Sequence, residues 1–178
     1  MVAADKIHVF DSRSVAFPQG ALAIKATELA AAGKDVKVII SELETMRGTM
    51  HVSAAVKTLE NLKKGGRLSN ASAVLGSMLQ VKPIVSMSEE GKLEAVSKVR
   101  TFKKAIAALV DVARDANLDD SYEISVIHVL NPEEGAVLQA TIAEIYPSLK
   151  VDLIPLSLVV AAHVGEGMLA VTWVKTKF

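Results

Sequence analysis

Segments patterned as strands and segments patterned as helices take turns along this chain, and that alternation constrains the fold more than any single motif. Residues 123–129 read as a strand. Residues 132–146 read as a helix that opens on Pro132 and places Glu133 and Glu134 in its first turn, where the helix dipole favours anions. Residues 151–154 form a strand, 156–163 a short helix, Gly165-Glu166-Gly167 a turn, and 168–174 a last strand. Upstream, residues 82–87 and 92–99 make a hairpin around Glu89-Glu90-Gly91, where Gly91 supplies the positive φ that such a turn needs. Interleaved strands and helices with one hairpin call for an α/β fold, with a mixed sheet flanked by helices.

The earlier part of the chain follows the same logic. Residues 6–10 alternate and run into Asp11-Ser12, which predicts a short strand ending in a polar turn. Pro18 stands where a helix would begin; residues 19–32 are rich in Ala and Leu, and Gly33 closes them. Residues 35–46 carry β-branched side chains, yet Val36, Ile39, Ile40, Leu43 and Met46 recur at helical spacing, and a helix is the reading adopted. A strand over 49–56 and a short helix over 58–64 follow, the latter stopped by Gly65-Gly66. Asn70 caps a helix predicted over 70–79. Over 101–116, Ile106, Leu109, Val110 and Ala113 share one face of an amphipathic helix.

Composition decides what kind of core and partner is available. Apolar residues make up 51% of the 178 and aromatic residues only 4%, so the interior must be aliphatic and any cavity aliphatic-walled. Twenty basic side chains balance twenty acidic ones, which leaves no global field for nucleic acid or an anionic membrane; peripheral membrane contact is the most that charge allows. There is no cysteine, which rules out disulfides and thiol catalysis. The first six residues lack the pattern of a secretory signal, and the apolar stretch over 151–164 is broken by Asp152, Pro155 and His163. A cytoplasmic protein is expected.

Several local patterns bear on chemistry, each with a plain structural account beside it. Lys63-Lys64-Gly65-Gly66-Arg67 could hold an anion over exposed amides between cations, or simply end a helix. Termination is the plainer account, since Gly after the last turn and Lys within it are what a helix end needs. The spacing is not that of a phosphate-binding loop, because no Lys-Ser/Thr follows the glycines. His163-Val164-Gly165-Glu166-Gly167 sets an imidazole before a glycine turn that a ligand could approach closely, or it is a histidine serving a tight turn. Lys98-Val99-Arg100 puts two cations on one side of a strand end, where a solvated sheet face is the ordinary account. His8, His51, His128 and His163 have no metal-ligand spacing, so neither a metal nor a cofactor is expected. Asp11-Ser12-Arg13-Ser14 lacks a nucleophile elbow and reads as a turn.

The order of these patterns is more specific than any one of them. Asp11-Ser12 after a strand, then Phe17-Pro18-Gln19-Gly20 and a helix, resembles the mid-chain Asp-Ser element of the DegV family. The run from Thr58 to Ser69 is similar to its Leu-x-x-Leu-x-x-Gly-Gly-Arg-Ile-Ser signature, and Leu75-Gly76-Ser77-Met78-Leu79-Gln80-Val81-Lys82-Pro83-Ile84 to its Leu-Gly-x-Leu-Leu-x-Ile-Lys-Pro-Ile pattern. His163 stands where the family has His-x-Gly-Pro-Gly before its last strand. The resemblance covers essentially the whole chain. It implies a DegV-like C-terminal α/β domain over 49–178, preceded by a remnant βα segment of the family's N-terminal domain over 1–48.

The resemblance also implies a function. DegV proteins bind long-chain fatty acid and present it to a separate fatty acid kinase subunit, so the expectation is a lipid-binding carrier and not an enzyme. His163, Gly165 and Gly167 would lie at the bound carboxylate. Lys64, Arg67 and Arg100 would belong to the surface that meets the kinase. Two departures bear on this. The family's Ser-Gly-Thr segment, carried on an N-terminal half, has no counterpart here, since Arg47-Gly48-Thr49 lies in the wrong place. Glu166 stands where the family has Pro, which would oppose anion binding if it pointed inward and leaves the turn less rigid. The alternative is a fragment without autonomous ligand binding, acting as a structural unit or homo-oligomer through an exposed apolar face. An enzyme using His163 is the third reading, with no nucleotide loop or nucleophile elbow behind it.

Overall fold

A computed structural model describes residues 7–68 and 81–178. Twelve elements are described: α1 (Ala16–Ala31), α2 (Val36–Arg47), β1 (His51–Ala55), α3 (Glu60–Lys64), β2 (Lys82–Met87), β3 (Leu93–Val99), α4 (Phe102–Asp115), β4 (Tyr122–His128), α5 (Pro132–Ile145), β5 (Val151–Pro155), α6 (Leu158–Val164) and β6 (Leu169–Lys175). The helix expected over 70–79, and most of the motif over 75–84, lie outside the described residues.

The strands form one six-stranded sheet in the order β3-β2-β1-β6-β4-β5. Only β4 and β5 run parallel, joined through α5; every other neighbouring pair is antiparallel. The mixed sheet flanked by helices is the expected architecture. Its last strand, β6, is central, pairing Ala54 with Ala170 on one side and Ile127 with Ala170 on the other.

Strand alternation sorts side chains onto two faces. Ala55, Ile84, Ile124, Val126, Leu169, Val171 and Trp173 face α4 and α5, which bring Leu109, Ala113, Leu138 and Ile142 against them. Those four helix residues are fully buried. Thr101 holds the start of α4 by accepting from Lys104 N–H at 3.2 Å, a cap worth about 1 kcal/mol. On the opposite face, among the described residues, Ala54, Val85, Ile127, Met168 and Ala170 meet the short helices α3 and α6 and the start of α1 at Ala16 and Phe17. At the other end α1 and α2 pack Leu22, Leu43 and Met46 against Val174. Buried Ser125 and Thr172 hydrogen-bond each other at 2.9 Å between these two coverings.

Local signals placed most boundaries. Asp35 caps α2 by accepting from Lys37 N–H at 2.9 Å, so the helical reading of residues 35–46 holds over their β-branched content. Gly33, at φ +70, ends α1, and Gly91, at φ +76, turns the hairpin. One expectation fails. Residues 7–10 are not a strand: no described strand lies beside them, so strand propensity finds no ladder to join. Ile7 and Val9 are exposed, while Phe10 packs beside α1 and α2 with the Arg47 guanidinium 5.0 Å from its ring centre. α1 also starts earlier than expected, at Ala16, with Pro18 inside its first turn.

Candidate functional site

The two glycine turns that stood 98 positions apart in the sequence, at Gly65 and His163, touch in space. A Cβ added to Gly65 would overlap His163 Nδ1 and come within 3.0 Å of Cε1, so only glycine lets the imidazole lie against the end of α3. The same interlock recurs twice. A Cβ on Gly165 would sit 2.6 Å from Asn61 Nδ2, and one on Gly167 would overlap the Lys57 side chain. Gly165 and Gly167 have φ of +84 and +80, so both also need glycine for backbone reasons. Gly65 does not: its φ is −78, and what excludes a side chain there is the His163 ring, with Asn61 O crowding the same position at 3.1 Å.

This geometry decides between the two accounts of residues 63–67. Gly65 N–H donates to Asn61 O at 2.8 Å, Gly66 N–H to Lys63 O at 3.1 Å and Arg67 N–H to Leu62 O at 2.9 Å. All three amides close the end of α3, and none is left for an anion. The turn is a helix stop. Gly165 N–H is likewise spent on Ala161 O and Gly167 N–H on Val129 O, both at 2.8 Å. These two glycines shape the turn; the polar group offered from it is the partly buried imidazole of His163. Glu166 is exposed, away from the buried flank that Val164 and Met168 form around it.

On the sheet face that α3 and α6 only partly cover lies an apolar cavity of about 370 Å³. Its floor is Val52, Ala54, Val85 and Ala170, with Leu62 and Val160 from the two short helices as walls. Arg67 and His163 are the ionisable side chains on its lining. Among the described residues no Phe, Tyr or Trp lines it, as the composition implied. The volume lies within the usual range for small-molecule sites. An apolar trough with one imidazole and one guanidinium can take up a hydrocarbon whose end carries an anion.

The cations sort differently. Arg67 is exposed and donates from Nη1 to Gly65 O at 3.1 Å. Lys64 is exposed and pairs loosely with Glu60 at 3.8 Å, an arrangement worth little in water. Arg100 follows the end of β3, at the same end of the sheet as α3, because β1 and β3 both run towards it with β2 antiparallel between them. It is exposed and lies off the cavity lining. Among the described residues no three His, Asp or Glu side chains are placed to hold a metal, and no helix is long and apolar enough to cross a membrane.

At the opposite end of β1 a polar groove of about 480 Å³ lies between α2 and the hairpin, lined by Arg13, Arg47, His51 and Glu89 among others. Sequence reasoning missed it. His51 stacks on Trp173 with ring centres 4.1 Å apart, and its Nε2 hydrogen-bonds Ser53 Oγ at 2.7 Å. Burial pushes its pKa down.

The profile of the family described as "Uncharacterised protein, DegV family" matches residues 1–176. The chain belongs to the DegV family. A DegV domain-containing protein of Listeria innocua is 34% identical over 168 residues, which are 92% of this chain and 58% of the relative. Protein DegV of Bacillus subtilis is 35% identical over 169 residues, 94% of this chain and 60% of the relative. The chain therefore spans less than two thirds of the DegV relatives it matches. Among solved structures, a fatty acid binding DegV family protein from Streptococcus agalactiae superposes with a TM-score of 0.87 at 31% identity, covering 94% of this chain and 59% of that one. DegV from Bacillus subtilis, described as a fatty acid binding protein, gives 0.78 at 35% identity over 93% of this chain and 59% of that one.

Proposed function

We propose that this chain is the acyl-holding part of a DegV fatty-acid carrier, a binding protein and not an enzyme. The observation that carries the reading is the aliphatic cavity with His163 and Arg67 on its lining. A long-chain fatty acid would lay its tail along Val52, Ala54 and Val85 and bring its carboxylate to His163, whose imidazole can donate to an anion near neutral pH. Burying the tail contributes about 0.8 kcal/mol per methylene, so aliphatic walls suffice for tight binding. Gly165 and Gly167 would act by holding the turn that presents the imidazole. The cavity on the described residues favours this reading over the alternative of a fragment without autonomous ligand binding that acts as a structural or oligomerisation unit.

The chain covers 58% of the Listeria relative, as a portion of a DegV protein would. The order of its motifs is the ground for taking it as the C-terminal portion, with residues 49–178 as the C-terminal domain and 1–48 as a segment of the N-terminal one. On this reading the carrier works in the cytoplasm and shows the carboxylate to a fatty acid kinase subunit. The exposed cations Lys64, Arg67 and Arg100, all at one end of the sheet, would form part of the surface that meets it. Native mass spectrometry on gently purified protein tests the central claim. A co-purified fatty acid, lost in His163→Ala, is the expected result. A protein that is empty and also fails to take up labelled palmitate would end this reading.

A further inference from the structure

The Asp11-Ser12-Arg13-Ser14 run has a place in the structure that the carboxylate site does not explain. Arg13 N–H donates to Asp11 Oδ1 at 3.0 Å and Ser14 N–H to Ser12 Oγ at 3.3 Å, so the segment is folded on itself by its own side chains. It is then fastened from both sides. Arg13 Nη1 donates to Glu89 O at 3.3 Å, and Arg47 Nη1 donates to Asp11 O at 2.8 Å. A Cβ on Gly91 would lie 2.8 Å from Arg13 Cα, so the hairpin turn is bare at the point where the segment rests on it. Arg13 and Ala16 have φ of +50 and +56, a left-handed conformation that non-glycine residues keep only where their surroundings hold them in it.

What this fastened segment separates is informative. Val15 and Ala16 line the apolar cavity, whereas their neighbours Arg13 and Ser14 line the polar groove. Val52 and Met87 line both, so the two spaces meet there and residues 13–16 stand between them. Val52 is the second residue of β1, and the strand runs from it towards α3, beyond which Arg67 and His163 lie. The strap is thus at the end of the cavity away from the imidazole.

We propose that residues 13–16 are the end-stop of the acyl cavity, and that Val15 sets the longest chain the cavity accepts. The proposal rests on the fatty-acid reading above: with a carboxylate held at His163, each added methylene advances the methyl end towards Val15. Affinity rises about fourfold per methylene while the tail is still being buried. It stops rising once the methyl end meets Val15, because further carbons must displace the strap or emerge among the charges of the polar groove.

The test is a set of saturated fatty acids of graded length, with affinities measured for the whole chain and for two variants. Val15 is partly buried and makes no capping hydrogen bond to α1, so both substitutions should leave the helix start in place. Thermal unfolding run alongside identifies folded samples. Val15→Ala should move the break in the affinity series to longer acids, and Val15→Phe to shorter ones, changing the ratio of affinities for acids two carbons apart about tenfold or more between the two variants. If one variant fails to fold, the other decides alone. An unmoved break in folded variants, with the wild type still binding, overturns the end-stop and leaves the carrier reading standing. No binding of any length by the wild type overturns both.

Discussion

Gly65 and Gly66 are neighbours with opposite reasons for being glycine, and substituting each by alanine separates position from stability. At Gly65 the backbone is already helical, so alanine gains about 0.5–1 kcal/mol over glycine in intrinsic preference. Against that, its Cβ overlaps His163 Nδ1 and forces the ring from its rotamer, at about 0.5–1.5 kcal/mol. The two nearly cancel, and Gly65→Ala should change unfolding free energy by less than about 1 kcal/mol. On the proposed carboxylate site, however, the ligand would lose a charged hydrogen bond from the displaced imidazole, worth about 1.5–3 kcal/mol, or roughly 10- to 150-fold in Kd. Gly66 has φ +64 and open space around its Cβ position. Gly66→Ala should therefore cost about 1–2 kcal/mol of stability and leave affinity unchanged. Urea denaturation and displacement of a fluorescent fatty acid measure both quantities on the same samples. If Gly65→Ala bound palmitate as tightly as wild type, or Gly66→Ala lost affinity as well as stability, the placement of His163 by Gly65 would be wrong.

Other outcomes are expected. Leu109 is fully buried between α4 and the sheet face remote from the cavity, so Leu109→Ala should lower the unfolding free energy by about 2–5 kcal/mol without altering affinity in the folded protein; a loss below about 1 kcal/mol in urea denaturation would argue against that packing. His51 has a folded pKa depressed by burial below its usual value of about 6.5. The unfolded chain therefore takes up the proton first, and the stability His51 contributes is complete above that value and lost as pH falls through the folded pKa. His51→Gln should flatten the dependence of Tm on pH between about 7.5 and 5, and a slope equal to wild type would exclude His51 as its source. Arg100→Glu should slow acyl phosphate formation by a fatty acid kinase subunit at least about tenfold, with palmitate affinity unchanged, if the exposed cations are docking contacts; equal rates would remove Arg100 from that surface.

Much of the fold was legible because its signals are local. Asp35 announces α2 by what its own side chain accepts two residues on, and Gly33 and Gly91 mark stops that need positive φ. The site was legible only in pieces. His163 and the Gly65-Gly66 turn were both singled out, but nothing near either says that they touch, since the reason for Gly65 is a ring 98 residues later. The anion-binding account of that turn survived in sequence because composition cannot tell which amides are already engaged. Residues 6–10 misled for a related cause: strand propensity describes a residue's fitness for a sheet, whereas pairing depends on a neighbour elsewhere in the chain. Residues 11–14 were read as a turn, and Asp11 and Ser12 do fold them through their own side chains, yet the contacts of Arg13 with Glu89 and Gly91 depend on where the hairpin folds back.

The central position of β6 has a consequence for how the molecule comes into being. The sheet is split into β3-β2-β1 and β4-β5 until the strand over 169–175 is inserted between them, and Ala54 must find a partner 116 positions downstream at Ala170. Pairings of such span are slow to form, because the intervening chain must be ordered before the contact repays it. During synthesis the two half-sheets leave the ribosome with β1 and β4 each showing an unpaired edge, the kind of surface that chaperones shield. Met168 and Ala170 also line the apolar cavity, so that cavity is incomplete until the strand over 169–175 has taken its place.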